Sequence, residues 1–329
     1  NKFWEYQMYI IFFPKLIAGP IVRYHEIADQ IQSHIKSENF NNRVNGFIRF
    51  CLGLSKKVLI ANVIGRQADA IFAMDTEHLT TTISWLGALA YSLQIYFDFS
   101  GYSDMAIGIA KMLGFKLPEN FNNPYTSKSV TEFWKRWHIT LGNWMKNYLY
   151  ISLGGNRVAK SRVLINLFIV FILSGLWHGA GWNFILWGIY YGLFLVIERI
   201  IDRGNSSKGV WVYVGWIYTL IVVVVGWILF RIENIQTAFK FIGKMFSFNF
   251  TNDYVFIFNP DFFFFFTIGL FFSFCTLNNR VRIFQERFFA GLFQKREKII
   301  FLVLGVVFYI ICLISLSSGQ FNPFIYFKF

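Results

Sequence analysis

Two of the five histidines stand where an imidazole can do chemistry. His178 closes the apolar run VLINLFIVFILSGLW and is followed by Gly179, Ala180, Gly181 and Trp182. An ionisable group that deep in apolar sequence is by default a functional hypothesis. Uncharged, its ring can take a proton as a general base; the other reading is a hydrogen-bonded structural histidine at a helix end, and the pattern leaves both open. His138 lies among Trp134, Trp137 and Trp144, with Lys135 and Arg136 just before it. Histidines on two separate elements could divide the work of an acyl transfer, one accepting a hydroxyl proton and the other orienting substrate or polarising the carbonyl. His25, His34 and His78 sit in polar stretches and call for no role.

Asp98 and Asp104, in FDFSGYSD, end another apolar run. A carboxylate there must be paired or hydrogen-bonded, so both are expected to line a polar passage or to bridge to Arg136 or Lys135. Glu132 and His138 stand six apart, and no His, Cys or carboxylate set has metal-ligand spacing, so no metal is expected. Leu173-Ser174-Gly175-Leu176-Trp177 is not a nucleophile elbow, which removes a serine-hydrolase reading. Cys51, Cys275 and Cys312 are scattered through apolar sequence and read as buried thiols.

The elements that must carry these residues follow from composition. Of 329 residues, 55% are hydrophobic, 21% aromatic and only 15% charged, with a mean hydropathy of +0.45. Soluble domains carry about 25% charged residues, so the chain has too little polar surface for a water-soluble particle and the bilayer is its solvent. The formal charge of +13 would suit a nucleic-acid binder. Here the excess lies in short stretches between apolar runs, where the positive-inside rule explains it, and no nucleic acid is expected.

A crossing helix needs about 20 mainly apolar residues. Candidate windows are Ile83 to Phe99, Val163 to Trp177, Asn183 to Ile197, Val210 to Phe230, Tyr254 to Cys275 and Ile299 to Leu316. Phe3 to Val22 is broken by Pro14 and Gly19-Pro20, and Phe47 to Ile64 carries Lys56-Lys57 at its centre; such pieces read as re-entrant or interfacial. No internal repeat supports an inverted-repeat transporter. Thr126 to Leu153 mixes Trp, Tyr and Phe with Lys135, Arg136 and Lys146 behind a Ser129/Glu132 capping pattern, which suits a helix lying along or dipping below the membrane surface and ended by Gly154-Gly155. Lys and Arg in Gly155 to Arg162, Glu198 to Gly209 and Leu277 to Lys298 number three, three and six, against none, three and one in the alternate connections. The first set is therefore expected in the cytoplasm.

The stretches FPKLIAGPIVRYHEI (Phe13 to Ile27), QIYFDFSGYSDMAIGIAKMLGF (Gln94 to Phe115), NFNNPYTSKSVTEFWKRWHITLGNWMKNYLYISLGGNR (Asn120 to Arg157), LSGLWHGAGWNFILWG (Leu173 to Gly188) and FIYFKF (Phe324 to Phe329) resemble the membrane-bound O-acyltransferase (MBOAT) superfamily. The nearest branch is the bacterial alginate O-acetyltransferase type, which includes peptidoglycan O-acetyltransferase membrane subunits and is related to teichoic-acid D-alanyl transfer proteins. The resemblance implies an all-α polytopic membrane protein, a helical bundle with re-entrant and interfacial helices around a transmembrane tunnel. It implies one membrane domain over residues 1–329 that lacks early helices of the full-length family.

The resemblance also implies a role for each site residue. His178, matching the WHG histidine, would be catalytic and His138 its essential partner, with Trp177, Arg136, Asn183, Asp98 and Asp104 lining or supporting the tunnel. Acetyl-CoA would serve as cytoplasmic donor, with no bound cofactor, and Arg157, Lys160 and Arg162 could attract its phosphates. An acetyl group would pass out through the bacterial inner membrane to an exported or cell-wall polysaccharide, through a periplasmic partner protein. Tyr326 would be either an acyl relay or a plain aromatic anchor. Asn147 and Ser152 depart from the family's Asp and Pro at those places, which weakens a catalytic claim for residue 147. The alternatives are transfer of another acyl group such as D-alanine from a carrier protein, a polysaccharide exporter or flippase without bond chemistry, and a scaffold for a soluble acetyltransferase. The donors for an oxyanion stay open among backbone amides near Gly179 and Gly181, Asn183 and the His138 ring.

Overall fold

A computed structural model describes residues 2–16, 19–201, 209–251, 256–318 and 324, with the side chains of 2 and 34–37 left out. Its α-helices are α1 (Lys2–Ile11), α2 (Tyr24–Ser37), α3 (Phe40–Ser55), α4 (Asn62–Phe72), α5 (Thr81–Met112), α6 (Val130–Arg136), α7 (Ile139–Met145), α8 (Lys160–His178), α9 (Trp182–Ile201), α10 (Val210–Arg231), α11 (Ile235–Met245), α12 (Phe262–Phe274), α13 (Asn279–Ala290) and α14 (Lys295–Ser318). No strand occurs among the described residues. The expected all-α architecture is therefore observed.

Four helices, α8, α9, α10 and α14, are long and apolar enough to cross a membrane. They coincide with four of the windows expected from sequence. The other two windows behave differently. Ile83 to Phe99 lies inside the 32-residue α5, where Ala88, Ala90, Tyr91, Leu93, Phe97 and Phe99 are all buried. Protein packs around most of that helix. Among the described residues of Tyr254 to Cys275, only the 13 residues of α12 form an α-helix, which at about 1.5 Å per residue is too short for a bilayer of about 30 Å. A bend of 99° separates it and the short turn Cys275–Leu277 from α13, so the pair reads as a broken span or a re-entrant loop.

The described residues form two compact units, and α5 contributes its first half to one and its second half to the other. In the unit of residues 1–63, 94–122 and 267–328, α14 packs on α3, which also approaches the second half of α5 unusually closely. A Cβ on Gly46 would lie 2.5 Å from the carbonyl oxygen of Gly108, and one on Gly101 would lie 2.7 Å from that of Gly53. Small residues let two backbones meet in this way. Buried ion pairs cross the same seam: Arg49 reaches Asp104 at 2.6 Å, Lys56 reaches Asp104 at 2.7 Å and Lys57 reaches Asp98 at 2.5 Å. Arg49 also holds Glu119 at 2.6 Å.

The other unit comprises residues 64–93 and 123–266. Its core is the α8–α9 hairpin, with α6 and α10 laid against α9. A Cβ on Gly188 would sit 2.5 Å from the carbonyl oxygen of Phe171, so only glycine lets α8 and α9 pack this tightly. Tyr190 and Tyr191 donate their hydroxyls to the carbonyls of Val222 and Val223 at 2.9 and 3.3 Å, tying α9 to α10. The stretch Thr126 to Leu153, expected as one surface helix, is instead α6, α7 and a π-helical segment, Lys146–Tyr150, with a break at His138.

Candidate functional site

The capping pattern read from sequence does start α6. Ser129 Oγ accepts the Glu132 N–H at 3.0 Å, although the Glu132 carboxylate bonds back to the N–H of Lys128 rather than that of Ser129. A second anchor is long-range. Glu198, 5% exposed in α9, accepts the N–H groups of Val130 at 2.7 Å and Thr131 at 2.8 Å, and the Thr131 hydroxyl at 2.6 Å. In sequence Glu198 only opens the connection Glu198 to Gly209, expected in the cytoplasm. A charge in the last turn of an otherwise apolar helix was the one available signal.

α6 lasts seven residues and ends where Trp137 donates to the Phe133 carbonyl. His138 then adopts a left-handed backbone, φ 46° and ψ 53°, before α7 begins. For a residue with a Cβ that conformation is uncommon and strained, although His is among the types that tolerate it better. The kink is followed by a buried side chain: His138 is 5% exposed and its ring lies 6.3 Å from that of Trp177.

His178 reaches the same place from α8. Its ring centroid lies 5.0 Å from that of Trp177, 5.3 Å from that of Trp187 and 5.2 Å from that of Phe230, in each case near perpendicular. The turn that follows needs glycine, since a Cβ on Gly179 would meet the Phe184 ring at 2.5 Å. Asn183 is buried, and its Nδ2 donates to the Phe230 carbonyl at 3.3 Å, holding α9 against the end of α10. One of the two Asn183 amide N–H groups is thus given to backbone. Trp134 closes the far side, 5.3 Å from Trp187 and 4.9 Å from Tyr191. His138 and His178 therefore share Trp177 as an aromatic neighbour; Trp177 itself is 49% exposed and His178 half-buried, with Trp187 and Phe230 on its inner side.

Other expected site residues lie elsewhere. Arg136 does not bridge to an aspartate; it donates to Glu132 at 2.6 Å and to the Thr126 hydroxyl at 3.0 Å. Asp98 and Asp104 are buried as expected but pair with Lys57, Lys56 and Arg49. The partners were hidden because Lys56-Lys57 reads in sequence as a break in an apolar segment. Arg157, Lys160 and Arg162 are exposed at and just before the start of α8, with no ion-pair partner among the described residues. Tyr326 lies outside the described residues, as does the side chain of His34. His25 and His78 are exposed. Cys51 and Cys312 are buried and Cys275 is half-exposed, all three as free thiols. Among the described residues, no group of three or more His, Cys, Asp or Glu could hold a metal ion.

Comparison with known proteins shows what the chain is similar to. A "probable alginate O-acetylase AlgI" of Pseudomonas aeruginosa is 46% identical over 244 residues, 74% of this chain and 46% of that protein. The peptidoglycan O-acetyltransferase of Helicobacter pylori is 42% identical over 252 residues, 76% of this chain and 48% of that protein. The teichoic acid D-alanyltransferase of Bacillus subtilis is 31% identical over 213 residues, 60% of this chain and 52% of that protein. The chain thus spans about half the length of the curated relatives it matches. The model of the membrane-bound O-acyltransferase family matches residues 2–239, a span that holds α1 to α10 and both histidines, and the chain belongs to that family.

Proposed function

We propose that this chain carries the transfer centre of a bacterial inner-membrane O-acetyltransferase acting on an exported or cell-wall polysaccharide. The observation that carries the reading is the convergence of His138 and His178 on Trp177. An exporter has no need of an imidazole pair held against one aromatic ring, whereas moving an acyl group to an alcohol needs a proton acceptor in a dry place. Identity of 46% and 42% to proteins named for O-acetyl transfer, against 31% to one named for D-alanyl transfer, favours acetyl.

In this mechanism the donor is a thioester, acetyl-CoA, approaching from the cytoplasmic side, where Arg157, Lys160 and Arg162 offer charge to its phosphates. His178 takes the proton of the attacking hydroxyl. His138, held by the kink between α6 and α7, orients the acyl group or the acceptor. The aromatic walls exclude water, which protects the thioester from hydrolysis. The acetyl group reaches the glycan on the outer side through a periplasmic partner protein.

The test replaces His178 with Ala in the natural full-length protein in its host and measures ester-linked acetate on the surface glycan. Loss of acetate with protein level and membrane insertion unchanged is expected. Unaltered acetylation removes the mechanism. Supplying radiolabelled acetyl-CoA to membrane vesicles separates transfer from export, since an exporter leaves the thioester intact.

A further inference from the structure

Three indoles in the unit that holds the histidines, Trp134, Trp187 and Trp227, have buried Nε1 atoms with no hydrogen-bond acceptor among the described residues. Leaving such a donor unmade costs about 1–3 kcal/mol. Buried tryptophans ordinarily find a partner for the N–H, and phenylalanine fills apolar space without that cost. Trp187 differs from the other two by its place. It is 1% exposed, and its ring stands 5.3 Å from that of His178 at 81°. It lies one helical turn beyond Asn183, which gives one of its two amide N–H groups to the Phe230 carbonyl.

We propose that the indole N–H of Trp187 is the donor that holds the carbonyl oxygen of the acyl group while His178 acts, an inference that rests on the acyl-transfer reading above. In the tetrahedral adduct, the attacking oxygen and the former carbonyl oxygen are bonded to one carbon. The base and the donor must therefore converge from adjacent directions, as two near-perpendicular neighbouring rings do. His178 takes the proton of the attacking acceptor hydroxyl, and that oxygen forms a C–O bond to the acyl carbon. The carbonyl π pair moves onto its oxygen, which accepts the N–H of Trp187. The π bond then re-forms, the C–S bond breaks and the thiolate takes the proton from His178. Thioester and alcohol become ester and thiol.

The competing role for the N–H is a bond to the face of a neighbouring ring, for which the perpendicular Trp134 is placed, 5.3 Å away. That role supports the fold and does not touch the rate. Two changes separate them in the full-length protein: Trp187→Phe, and replacement of Trp187 by the isosteric benzothienylalanine, which keeps the ring and removes only the N–H. Turnover is measured with radiolabelled acetyl-CoA and the host's own glycan, alongside Tm in detergent. The expected result is a fall in kcat of roughly 10²–10³-fold with KM within about twofold and Tm unchanged or raised. A kcat within about threefold of the parent in the isosteric variant overturns the assignment, and so does a lowered Tm with kcat retained. His178→Ala is run beside them. Its inactivity with an active isosteric variant rejects the donor alone, whereas activity in His178→Ala rejects the acyl-transfer reading itself.

Discussion

Glu198 near the end of α9 accepts the backbone N–H of Thr131 at the start of α6 at 2.8 Å, and this bond sets where His138 emerges seven residues later. The same α9 carries Trp187 against His178. One helix therefore references both imidazoles. Replacing Glu198 with Gln turns one acceptor oxygen into an amide donor facing N–H groups. Bonds to a charged group are worth about 1.5–3 kcal/mol, so a loss of stability of about that size is expected. Because the helix start moves as well, kcat should fall roughly tenfold with KM little changed. Equal turnover and an unaltered melting curve would show that the contact positions nothing.

The Asp104 carboxylate, 4% exposed between Arg49 and Lys56, makes a second prediction. Removing one member of a buried ion pair leaves an uncompensated charge and typically costs about 3–5 kcal/mol. Asp104→Ala should lower Tm and protein level in membranes. Replacing Arg49, Lys56 and Asp104 together with apolar residues of similar volume should recover much of that loss. If Asp104→Ala melts like the parent, the network contributes nothing to the seam between α3 and α5.

Sequence told much about the site because its signals were local. An apolar run ended by His178, glycines after it and the Ser129 cap can each be read within a few residues, and α8, α9, α10 and α14 follow from length and composition. The partners of Asp98 and Asp104 could not be read that way. They arise from a close helix seam that pairs residues 41 to 55 positions apart in the chain, such as Lys57 with Asp98. The break at His138 was hidden for another reason. No glycine or asparagine announces a left-handed residue there, and the surrounding Trp and Arg residues suit a continuous surface helix. Around Ile83 to Phe99 apolarity alone does not tell a helix packed in protein from one facing lipid, since both are apolar.

His138 lies between α6 and α7, outside the four spanning helices. Burial, with a smaller push from nearby His178, holds its imidazole well below the ordinary histidine range. In the unfolded chain the ring takes up its proton near about pH 6.5. Below that value the unfolded state binds a proton that the folded state refuses, so the contribution to stability is complete above it and is lost as the pH falls. Between about pH 7 and about pH 5, Tm of the parent should drop more steeply than that of His138→Gln. Parallel curves for the two would mean that the ring titrates as freely in the fold as outside it.

The claim that His138 and His178 work as one unit is tested most directly by a double-mutant cycle on turnover. Each single Ala variant is expected to lose roughly 10²–10⁴-fold in rate. The variant lacking both should be no slower than the worse single one, since groups that act together are strongly non-additive. Losses that multiply across the cycle, or a single variant that turns over at the parental rate, would contradict a shared catalytic centre.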